Sequence, residues 1–342
     1  MTRRLGIFDV DVDNALIQLT NTTNKPLPEI QKRQPTLVAK QHNDLKKIEI
    51  DLAMKVVSRQ MALNSLRERT IKEYNYTFNR FTTLTNLTYV HEITVESIYE
   101  FLSKLGNIAP ASKLNRLKTI QAVLNRFYEN AWIQTKFWKN IKIKVDKKVK
   151  KPTSEEELSI LLSLLDTSTF VGFRDTVAVL LIYKTGIRIR TLGLLEEKHI
   201  DFKTNTLILS GDIQKNHNSL KLPLPDDIAE LLKQLIKQNN TIRKHYHEKN
   251  QYIFINNRGK TVETINSTAN LIAKQLGKYT KKFGLKNINA HSIRRLYAHN
   301  LLKSGASVAL ISKALGHTDL AVTSRYLNLT ENEVVDNLRE FM

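Results

Sequence analysis

The stretch TVAVLLIYKTGIR, residues 176–188, joins a short apolar run to a basic turn. Its longest uninterrupted apolar part, Val177 to Tyr183, has 7 residues, whereas a membrane-spanning helix needs roughly 20. Residues 176–184 are therefore predicted to form a buried helix of a globular domain. Arg188 follows directly in Lys-Thr-Gly-Ile-Arg, so a permanent cation is expected next to the end of this helix.

The sequence around this helix predicts a mixed domain. Leucines at helical spacing over residues 158–165 indicate a helix before it, and helices return beyond residue 226. Short strand-like runs lie at residues 199–202, 206–210 and 220–224, with a further possible strand at 252–255. The second and third runs are expected to pair across the polar stretch 211–219. The predicted fold class is mainly α with a small antiparallel β-sheet (α+β).

The region before the mixed domain is helical in pattern. One helix is predicted over residues 67–81. Two more are predicted to follow Thr94 and Ser112, which would be their N-caps. Pro152 and Ser154 mark the start of a new helix. Ser154 is predicted to form a capping box with Glu157. The predicted domains are an accessory segment over 1–50, a helical domain over 51–145, a linker over 146–153, and a mixed domain with a tail helix over 154–342.

The charge of the chain predicts a nucleic-acid partner. There are 53 lysines and arginines against 33 acidic residues, which leaves a net charge of +20. Phosphate backbones attract such clusters through long-range steering and counterion release. A solubility device or an anionic-membrane binder remains the alternative on composition alone. The absence of cysteine excludes disulfides, iron–sulfur clusters and cysteine-ligated zinc.

The densest basic stretch runs from Lys136 to Lys151, with Asp146 as its one acid. If this strap lies along DNA, its lysines contact phosphates; the alternative is a solvated surface turn. The tentative DNA-backbone contacts are Lys136, Lys139, Lys142, Lys144, Lys147 and Lys148.

The mixed domain also carries the residue types that phosphodiester cleavage needs without a metal or a nucleotide. The reaction requires a nucleophile that forms a phosphate ester, cations that stabilise the transition state, and an acid for the leaving oxygen. Neither GxGxxG nor a P-loop occurs. The candidates follow one another along the chain as Arg188, Lys215, His291, Arg294, His317 and Tyr326.

These residues stand in local settings that resemble the tyrosine recombinase (phage integrase) family. The matching segments are YKTGIR (183–188), AHSIR (290–294) leading into AHNLL (298–302), and LGHTDL (315–320) running on to Tyr326. Lys215 lies eight residues before Pro223, which is the spacing of the family's hairpin lysine. The resemblance covers about residues 60–342, as a helical core-binding domain followed by a catalytic domain.

The resemblance implies a role for each candidate. Tyr326 is the nucleophile, which forms a 3′-phosphotyrosyl bond and frees a 5′-hydroxyl. Arg188 and Arg294 clamp the scissile phosphate. Lys215 is the general acid, with Lys221 as a nearby competitor. The two histidines, at 291 and 317, exchange protons with the nucleophile or hydrogen-bond the phosphate. Arg190 and Arg295 are left as backbone contacts or surface residues.

The sequence departs from the family at one position. Three residues after the first arginine the family often has an acidic residue, and here it is Thr191. Compensation by Glu196 or Glu197 stays open.

The resemblance further implies double-stranded DNA with specific recombination sites as the substrate, a homo-tetramer on synapsed DNA, and a Holliday junction. No cofactor, metal ion or membrane is expected, and the location is predicted to be cytoplasmic. The predicted role is integration or excision of a mobile element or phage. Dimer resolution by the same chemistry, a type IB topoisomerase and a non-catalytic DNA-binding protein are the alternatives. The compact domain pattern and the short stretch after Tyr326 argue against the topoisomerase.

Overall fold

The periodicity of residues 51–145 predicts helices, and the computed structural model has helices there. The structure describes residues 47–146, 151–263 and 270–327. The chain divides into two units, one up to Asp146 and one from Lys147. Most of the predicted accessory segment, and the whole tail helix over 329–342, lie outside the described residues.

The first unit contains four α-helices within its described part. These are α1 (Ile50–Leu63), α2 (Glu68–Thr85), α3 (Val95–Lys104) and α4 (Pro110–Glu129). Thr94 caps α3 as predicted, because its hydroxyl accepts a hydrogen bond from the Ser97 amide at 3.2 Å. Ser112, however, is not the N-cap of α4. The helix begins at Pro110, where the fixed φ of proline suits the first turn and its missing N–H removes no helical hydrogen bond.

Aromatic side chains hold α2, α3 and α4 together. Phe78 lies edge-to-face against Phe81 and Phe127, with ring centroids 5.5 and 5.4 Å apart, and Phe81 meets Phe101 at 5.4 Å. All four rings are fully buried. Such pairs add a directional preference to the burial of apolar area, so the helices of this unit pack in one defined arrangement.

The second unit contains helices around one small sheet. Its helices are α5 (Glu155–Leu164), α6 (Phe170–Thr185), α7 (Ile189–Gly193), α8 (Asp226–Tyr246), α9 (Leu271–Lys282), α10 (Ala290–Lys303), α11 (Val308–Ala314) and α12 (Leu320–Leu327). The strands are β1 (Ile200–Asp201), β2 (Thr206–Leu209) and β3 (Leu220–Pro223). They form an antiparallel sheet in the order β1-β2-β3. The predicted fold class is confirmed.

The prediction of a possible strand at residues 252–255 is wrong. Residues 253–255 are fully buried, but the pairing of the segment consists of two isolated bridges, from Tyr252 to Glu196 and from Ile255 to Thr261. Burial of this segment comes from packing on the core of the unit and not from a ladder of strand hydrogen bonds. An apolar run alone does not distinguish these two cases.

Helix α6 is the centre of the second unit and packs against α8 and α10. It contains a buried ion pair between Arg174 and Asp175, with a nitrogen–oxygen distance of 2.6 Å. Tyr279 on α9 donates to the other oxygen of Asp175 at 3.1 Å, and Arg174 donates to the carbonyl of Ile255 at 3.0 Å. Because a buried charge is tolerated only when it is paired and hydrogen-bonded, these contacts fix α6 relative to α9 and the 252–255 segment.

The start of α5 differs in one detail from its prediction. The Ser154 hydroxyl accepts a hydrogen bond from the Glu157 amide at 3.2 Å, as an N-cap does. The Glu157 carboxylate does not complete a capping box and accepts the amide of Lys286 at 2.9 Å instead. The same sequence signal therefore ties α5 to the segment before α10. Within the described residues, no helix has the length and apolar character to cross a membrane.

Candidate active site

The turn between α6 and α7 carries Arg188 to the site. Gly186 ends α6 with a left-handed φ of +62°, a conformation that glycine adopts without a Cβ penalty. A Cβ there would lie 2.2 Å from Cδ1 of Tyr297, so a larger residue would displace that ring. Arg188 occupies the N-cap position of α7 two residues later. The glycine of Lys-Thr-Gly-Ile-Arg thus serves both the turn and the packing beneath it.

Arg294 on α10 is the buried cation of the site, with 3% of its surface exposed. Its Nη1 donates to the carbonyl of Gly186, and its Nη2 donates to the carbonyl of Leu315 at 2.6 Å. Two acceptors from distant parts of the chain therefore fix the plane of the guanidinium. Burial and the nearby charge of Arg188 lower the pKa of Arg294 to about 10, so it remains a cation at neutral pH.

Arg188 is half-buried beside it. Its Nη2 donates to the carbonyl of Gly316 at 3.3 Å, and burial lowers the pKa of Arg188. The acceptors of the two arginines, Leu315 and Gly316, are consecutive residues. One short turn after α11 thus holds both guanidinium groups close together.

His317 follows on the same turn and uses both ring nitrogens. Nη2 of Arg294 lies 3.4 Å from Nε2, and the Thr323 hydroxyl lies 2.8 Å from Nδ1. Because a guanidinium can only donate, we assign Nε2 as the acceptor and place the proton on Nδ1, which donates to Thr323. Burial and the charges of Arg294 and Arg188 lower the pKa of His317 to about 4. The imidazole is therefore neutral at pH 7.

Tyr326 lies on α12, next to the buried Leu327 that anchors this helix in a small apolar cluster. Its ring meets the His317 ring edge-to-face, with centroids 5.5 Å apart. The guanidinium carbon of Arg295 lies 4.9 Å from the Tyr326 ring centroid. The phenol donates to the backbone carbonyl of His291 at 3.3 Å. The hydroxyl thus lies beside the first turn of α10 in this structure.

His291 lies in that first turn, and its side chain is exposed. The helix start is capped by Asn289, whose side chain accepts from the His291 amide at 3.1 Å. His291 and Tyr326 line a cleft of about 790 Å³ together with the cations Lys151 and Arg295. A basic, open cleft beside a phenol suits a polyanionic substrate.

Lys215 lies on the loop between β2 and β3, and its side chain is exposed. It makes no hydrogen bond or ion pair with any residue that the structure describes. Its competitor Lys221 is also exposed and lies on β3, opposite Ile208. Lys221 lines a cavity of about 300 Å³ with Gly316 and His317, and Lys215 does not. The structure thus unites the two arginines, His317 and Tyr326, and leaves both lysines at the edge of this group.

Thr191, at the position that is often acidic in the family, is fully buried, and its hydroxyl donates to the carbonyl of Ile213 at 3.3 Å. It braces the β2–β3 loop and cannot neutralise an arginine.

The two acidic residues that followed Thr191 in the sequence have basic partners of their own. Glu196 pairs with Lys198 at 2.8 Å, and Glu197 pairs with Arg243 at 2.8 Å. Neither carboxylate contacts Arg188 or Arg294, so the compensation that the sequence left open does not occur through these residues.

Two contacting residues were missed by the sequence analysis. Thr323 lies three positions before Tyr326 on α12, so both face the same side of the helix, a spacing that could have pointed to it. Asn216 donates to the carbonyl of Gly316 at 3.0 Å, and no signal in the sequence relates two residues so far apart. Arg295, interpreted from the sequence as a backbone contact or surface residue, lies over the Tyr326 ring.

The strap lysines are partly described. Lys136, Lys139, Lys142 and Lys144 are exposed, whereas Lys147 and Lys148 lie outside the described residues. Nζ of Lys136 lies 4.4 Å from the ring centroid of Tyr128. Their DNA contacts remain a prediction. Among the residues that the structure covers, no group of three or more histidine, aspartate or glutamate side chains could hold a metal ion.

Comparison with known proteins gives a family. The profile of the phage integrase family matches residues 151–333, more than half of the chain. Tyrosine recombinase XerC of Chlamydia caviae is 28% identical over 188 residues, which are 55% of this chain and 57% of that protein. Tyrosine recombinase XerA of Pyrococcus furiosus is 23% identical over 270 residues, 79% of this chain and 87% of that protein. The first of these matches spans little more than half of the relative.

Solved structures share the fold. The Tn1549 transposon integrase in complex with a circular intermediate DNA has a TM-score of 0.64 at 14% identity, covering 84% of this chain and 99% of that one. A lambda integrase dimer bound to a COC′ core site has a TM-score of 0.63 at 16% identity, covering 92% and 84%. The family profile, which matches more than half of the chain, shows that the chain belongs to the phage integrase family, the tyrosine recombinases.

Proposed function

We propose that this protein is a site-specific recombinase that cuts and rejoins duplex DNA through a bond between Tyr326 and a DNA phosphate. The observation that carries the proposal is the convergence around His317. Its ring lies against the Tyr326 ring, and its Nε2 lies 3.4 Å from Arg294. Arg188 contacts the residue just before it. A nucleophile and two fixed cations thus converge on the turn that carries the neutral imidazole.

The proposed step is a transesterification. The phenolic oxygen of Tyr326 attacks the scissile phosphorus and forms a P–O bond, while the bond from phosphorus to the 5′-oxygen breaks. The phenol gives its proton to an imidazole, and the 5′-oxygen receives one from Lys215. The products are a 3′-phosphotyrosine and a free 5′-hydroxyl. Rejoining is the reverse attack by the 5′-hydroxyl of another strand, so the ester bond is conserved and no ATP is needed.

The arginines stabilise charge on the non-bridging oxygens. Each guanidinium has five N–H donors in a planar fork, and the carbonyls of residues 186, 315 and 316 use only part of them. The remaining donors are available to phosphate while the plane stays fixed. Such preorganised donors are worth more for a transition state than flexible ones, because they need no reorganisation during the reaction.

The two histidines receive different roles. His317 has both ring nitrogens engaged and a pKa lowered to about 4, so it orients Arg294 and acts on the phosphate only through that guanidinium. His291 is exposed in the cleft that Tyr326 lines, and we assign it as the acceptor of the phenolic proton. The Tyr326 hydroxyl must leave the His291 carbonyl before it can attack phosphorus.

The rest of the chain is assigned to DNA binding and assembly. Residues 51–145 would form the core-binding domain, 146–153 the linker, and 154–342 the catalytic domain with its tail helix. The exposed strap lysines support contacts to phosphates. Four protomers would pair two recombination sites and pass through a Holliday junction. The protein would act in the cytoplasm, with residues 1–50 as an accessory segment.

The biological role that we propose is integration or excision of a mobile element or phage. The similarity in fold to a transposon integrase and to lambda integrase is consistent with it. Resolution of chromosome or plasmid dimers is the alternative, consistent with the names of the Xer relatives. Both roles use the same chemistry, so the DNA sites and not the active site distinguish them.

Covalent trapping tests the proposed reaction. The probe is a pool of nicked duplexes made from the DNA that flanks the gene on both sides. A nick near the cleavage position lets the short 5′-hydroxyl fragment diffuse away, so the phosphotyrosyl adduct accumulates. We expect an adduct with the unaltered chain and none with Tyr326→Phe, while both bind the duplex equally in a mobility-shift assay.

Two outcomes would contradict the proposal. An adduct that persists in Tyr326→Phe would show a different nucleophile. Sequence-specific binding of a flanking duplex without any adduct would support a non-catalytic DNA-binding protein. Sequencing the trapped duplex identifies the site: repeats at the ends of a mobile segment support integration, and a single chromosomal or plasmid site supports dimer resolution.

A further inference from the structure

The loop that carries Lys215 is attached to the catalytic domain at three points. The Thr191 hydroxyl donates to the carbonyl of Ile213 at 3.3 Å. The side chain of Gln214 is buried, with 3% of the residue exposed. The side-chain amide of Asn216 donates to the carbonyl of Gly316 at 3.0 Å. Lys215 therefore lies between two anchored residues while its own side chain is exposed.

The Gly316 carbonyl has two donors. Asn216 Nδ2 lies 3.0 Å from it and Arg188 Nη2 lies 3.3 Å from it. A carbonyl oxygen has two lone pairs and can accept both. Gly316 has a left-handed φ of +57° and directly precedes His317. One backbone oxygen thus links the β2–β3 loop to a phosphate-binding arginine and to the histidine turn.

The two donors do not have the same alternative partners. When a phosphate enters, Arg188 can direct donors to its oxygens, because a charged acceptor forms a stronger hydrogen bond than a backbone carbonyl. Asn216 then remains as the donor that satisfies Gly316. The loop keeps its attachment to the turn at the stage of the reaction when the leaving oxygen needs its proton.

We propose that Asn216 is a positioning residue that holds Lys215 at the 5′-oxygen of the scissile phosphate. The inference rests on the proposed function, in which Lys215 is the general acid. Lys215 has no hydrogen-bonding partner of its own within the described residues, so its place depends on the backbone of its neighbours. Loss of the Asn216 contact frees one end of this short segment. A displacement of about 1 Å at a reacting group slows a reaction by about 100-fold.

The test uses the leaving atom. Asn216→Ala removes the amide donor, and Asn218→Ala is the matched control, because Asn218 lies two residues further along the same loop and is exposed. Each variant is tested on the nicked duplex that the unaltered chain cleaves. This substrate is made in two forms, one with oxygen and one with sulfur at the bridging 5′ position of the scissile phosphate. A thiolate leaves without protonation, so the sulfur substrate does not require a general acid.

We expect Asn216→Ala to cleave the oxygen substrate about 10- to 100-fold more slowly at saturating DNA, with its DNA affinity and unfolding midpoint unchanged. On the sulfur substrate its rate should return to within about threefold of the unaltered chain. Lys215→Ala should show the same rescue, and Asn218→Ala should cleave both substrates normally.

The inference is overturned if Asn216→Ala is equally slow on both substrates, or normal on both. Rescue of Lys215→Ala by sulfur together with no rescue of Asn216→Ala removes the positioning role and leaves the acid in place. If Lys221→Ala is rescued and Lys215→Ala is not, Lys221 is the acid, and that part of the proposed function fails instead.

Discussion

Arg294 and Lys215 provide charge to the same proposed reaction from opposite kinds of surroundings. Arg294 is almost fully buried, and two carbonyls from residues distant in the chain hold its guanidinium. Lys215 is exposed on a loop, and only its neighbours are anchored. The buried cation is thus part of the folded core of the second unit, whereas the exposed cation can be moved without disturbing that core.

This difference separates the effect of removing each cation on stability from its effect on the reaction. A buried guanidinium satisfies carbonyls that would otherwise lose their partners, so its removal affects stability as well as chemistry. An exposed ammonium satisfies nothing, so its removal affects chemistry alone. The buried half of the site is preorganised by folding, and the loop half depends on a few hydrogen bonds.

The largest expected effect is that of Arg294→Ala. Cleavage should fall by about 10²- to 10³-fold, because a donor to the transition state is lost. The free energy of unfolding should fall by about 1–3 kcal/mol, because the Gly186 and Leu315 carbonyls lose their donor. Single-turnover cleavage and urea unfolding measure the two effects. Unchanged stability in this variant would show that the hydrogen bonds of Arg294 do not stabilise the fold.

Lys215→Ala should lose cleavage without losing stability. Cleavage should slow by about 10²-fold because the leaving oxygen loses its acid. The free energy of unfolding should stay within about 0.5 kcal/mol of the unaltered chain, as for other surface positions. Lys221→Ala is the control with a second exposed lysine of the same sheet region. A loss of stability in Lys215→Ala comparable to that in Arg294→Ala would abolish the contrast between the two cations.

Thr323→Val tests how the buried half orients His317. Valine has nearly the shape of threonine but cannot accept the hydrogen bond from Nδ1–H, and we expect cleavage to slow by about tenfold, the equivalent of one hydrogen bond. Thr323→Ser should restore the rate. Nitrogen-15 NMR of the histidine ring gives a readout without DNA: the Nδ1–H tautomer should dominate in both proteins, because Arg294 can only donate to Nε2, and the Nδ1–H signal should shift in Thr323→Val, where it loses its acceptor. A mixture of tautomers in Thr323→Val would show that Thr323, and not Arg294, sets the tautomer.

The smallest expected effect is on how the free energy of unfolding depends on pH. The pKa of His317 is about 4 in the folded chain, against roughly 6.5 for an unfolded histidine. Between these values the unfolded chain binds a proton that the folded chain does not, so the free energy of unfolding falls as the pH is lowered through this window. Urea unfolding at pH 7 and pH 5 should show a smaller decrease in His317→Asn than in the unaltered chain. An equal decrease in both would place the titration elsewhere.

Much of the fold and the site could be predicted from local sequence. Arg188, Arg294, His317 and Tyr326 each stand in a short motif whose residues are neighbours along the chain, and the structure brings these four together. The apolar periodicity located the helices for the same reason. It failed where two local signals compete, as at Ser112, where Pro110 already starts the helix.

Contacts between distant segments could not be predicted. The hydrogen bonds from Asn216 to Gly316 and from Thr191 to Ile213 join residues that no spacing rule relates. The segment at 252–255 shows the same limit, because its apolar composition indicates burial and does not reveal whether a strand partner lies beside it.

The sequence by itself determined which chemical groups are available, the helices that carry them and the family to which the chain belongs, since these depend on residue type and near-neighbour spacing. Only the tertiary structure decided that one arginine is buried and another half-exposed, that His317 is neutral with its proton on Nδ1, and that one carbonyl serves both Arg188 and Asn216. Burial and hydrogen bonding depend on distances between parts of the chain that folding alone brings together.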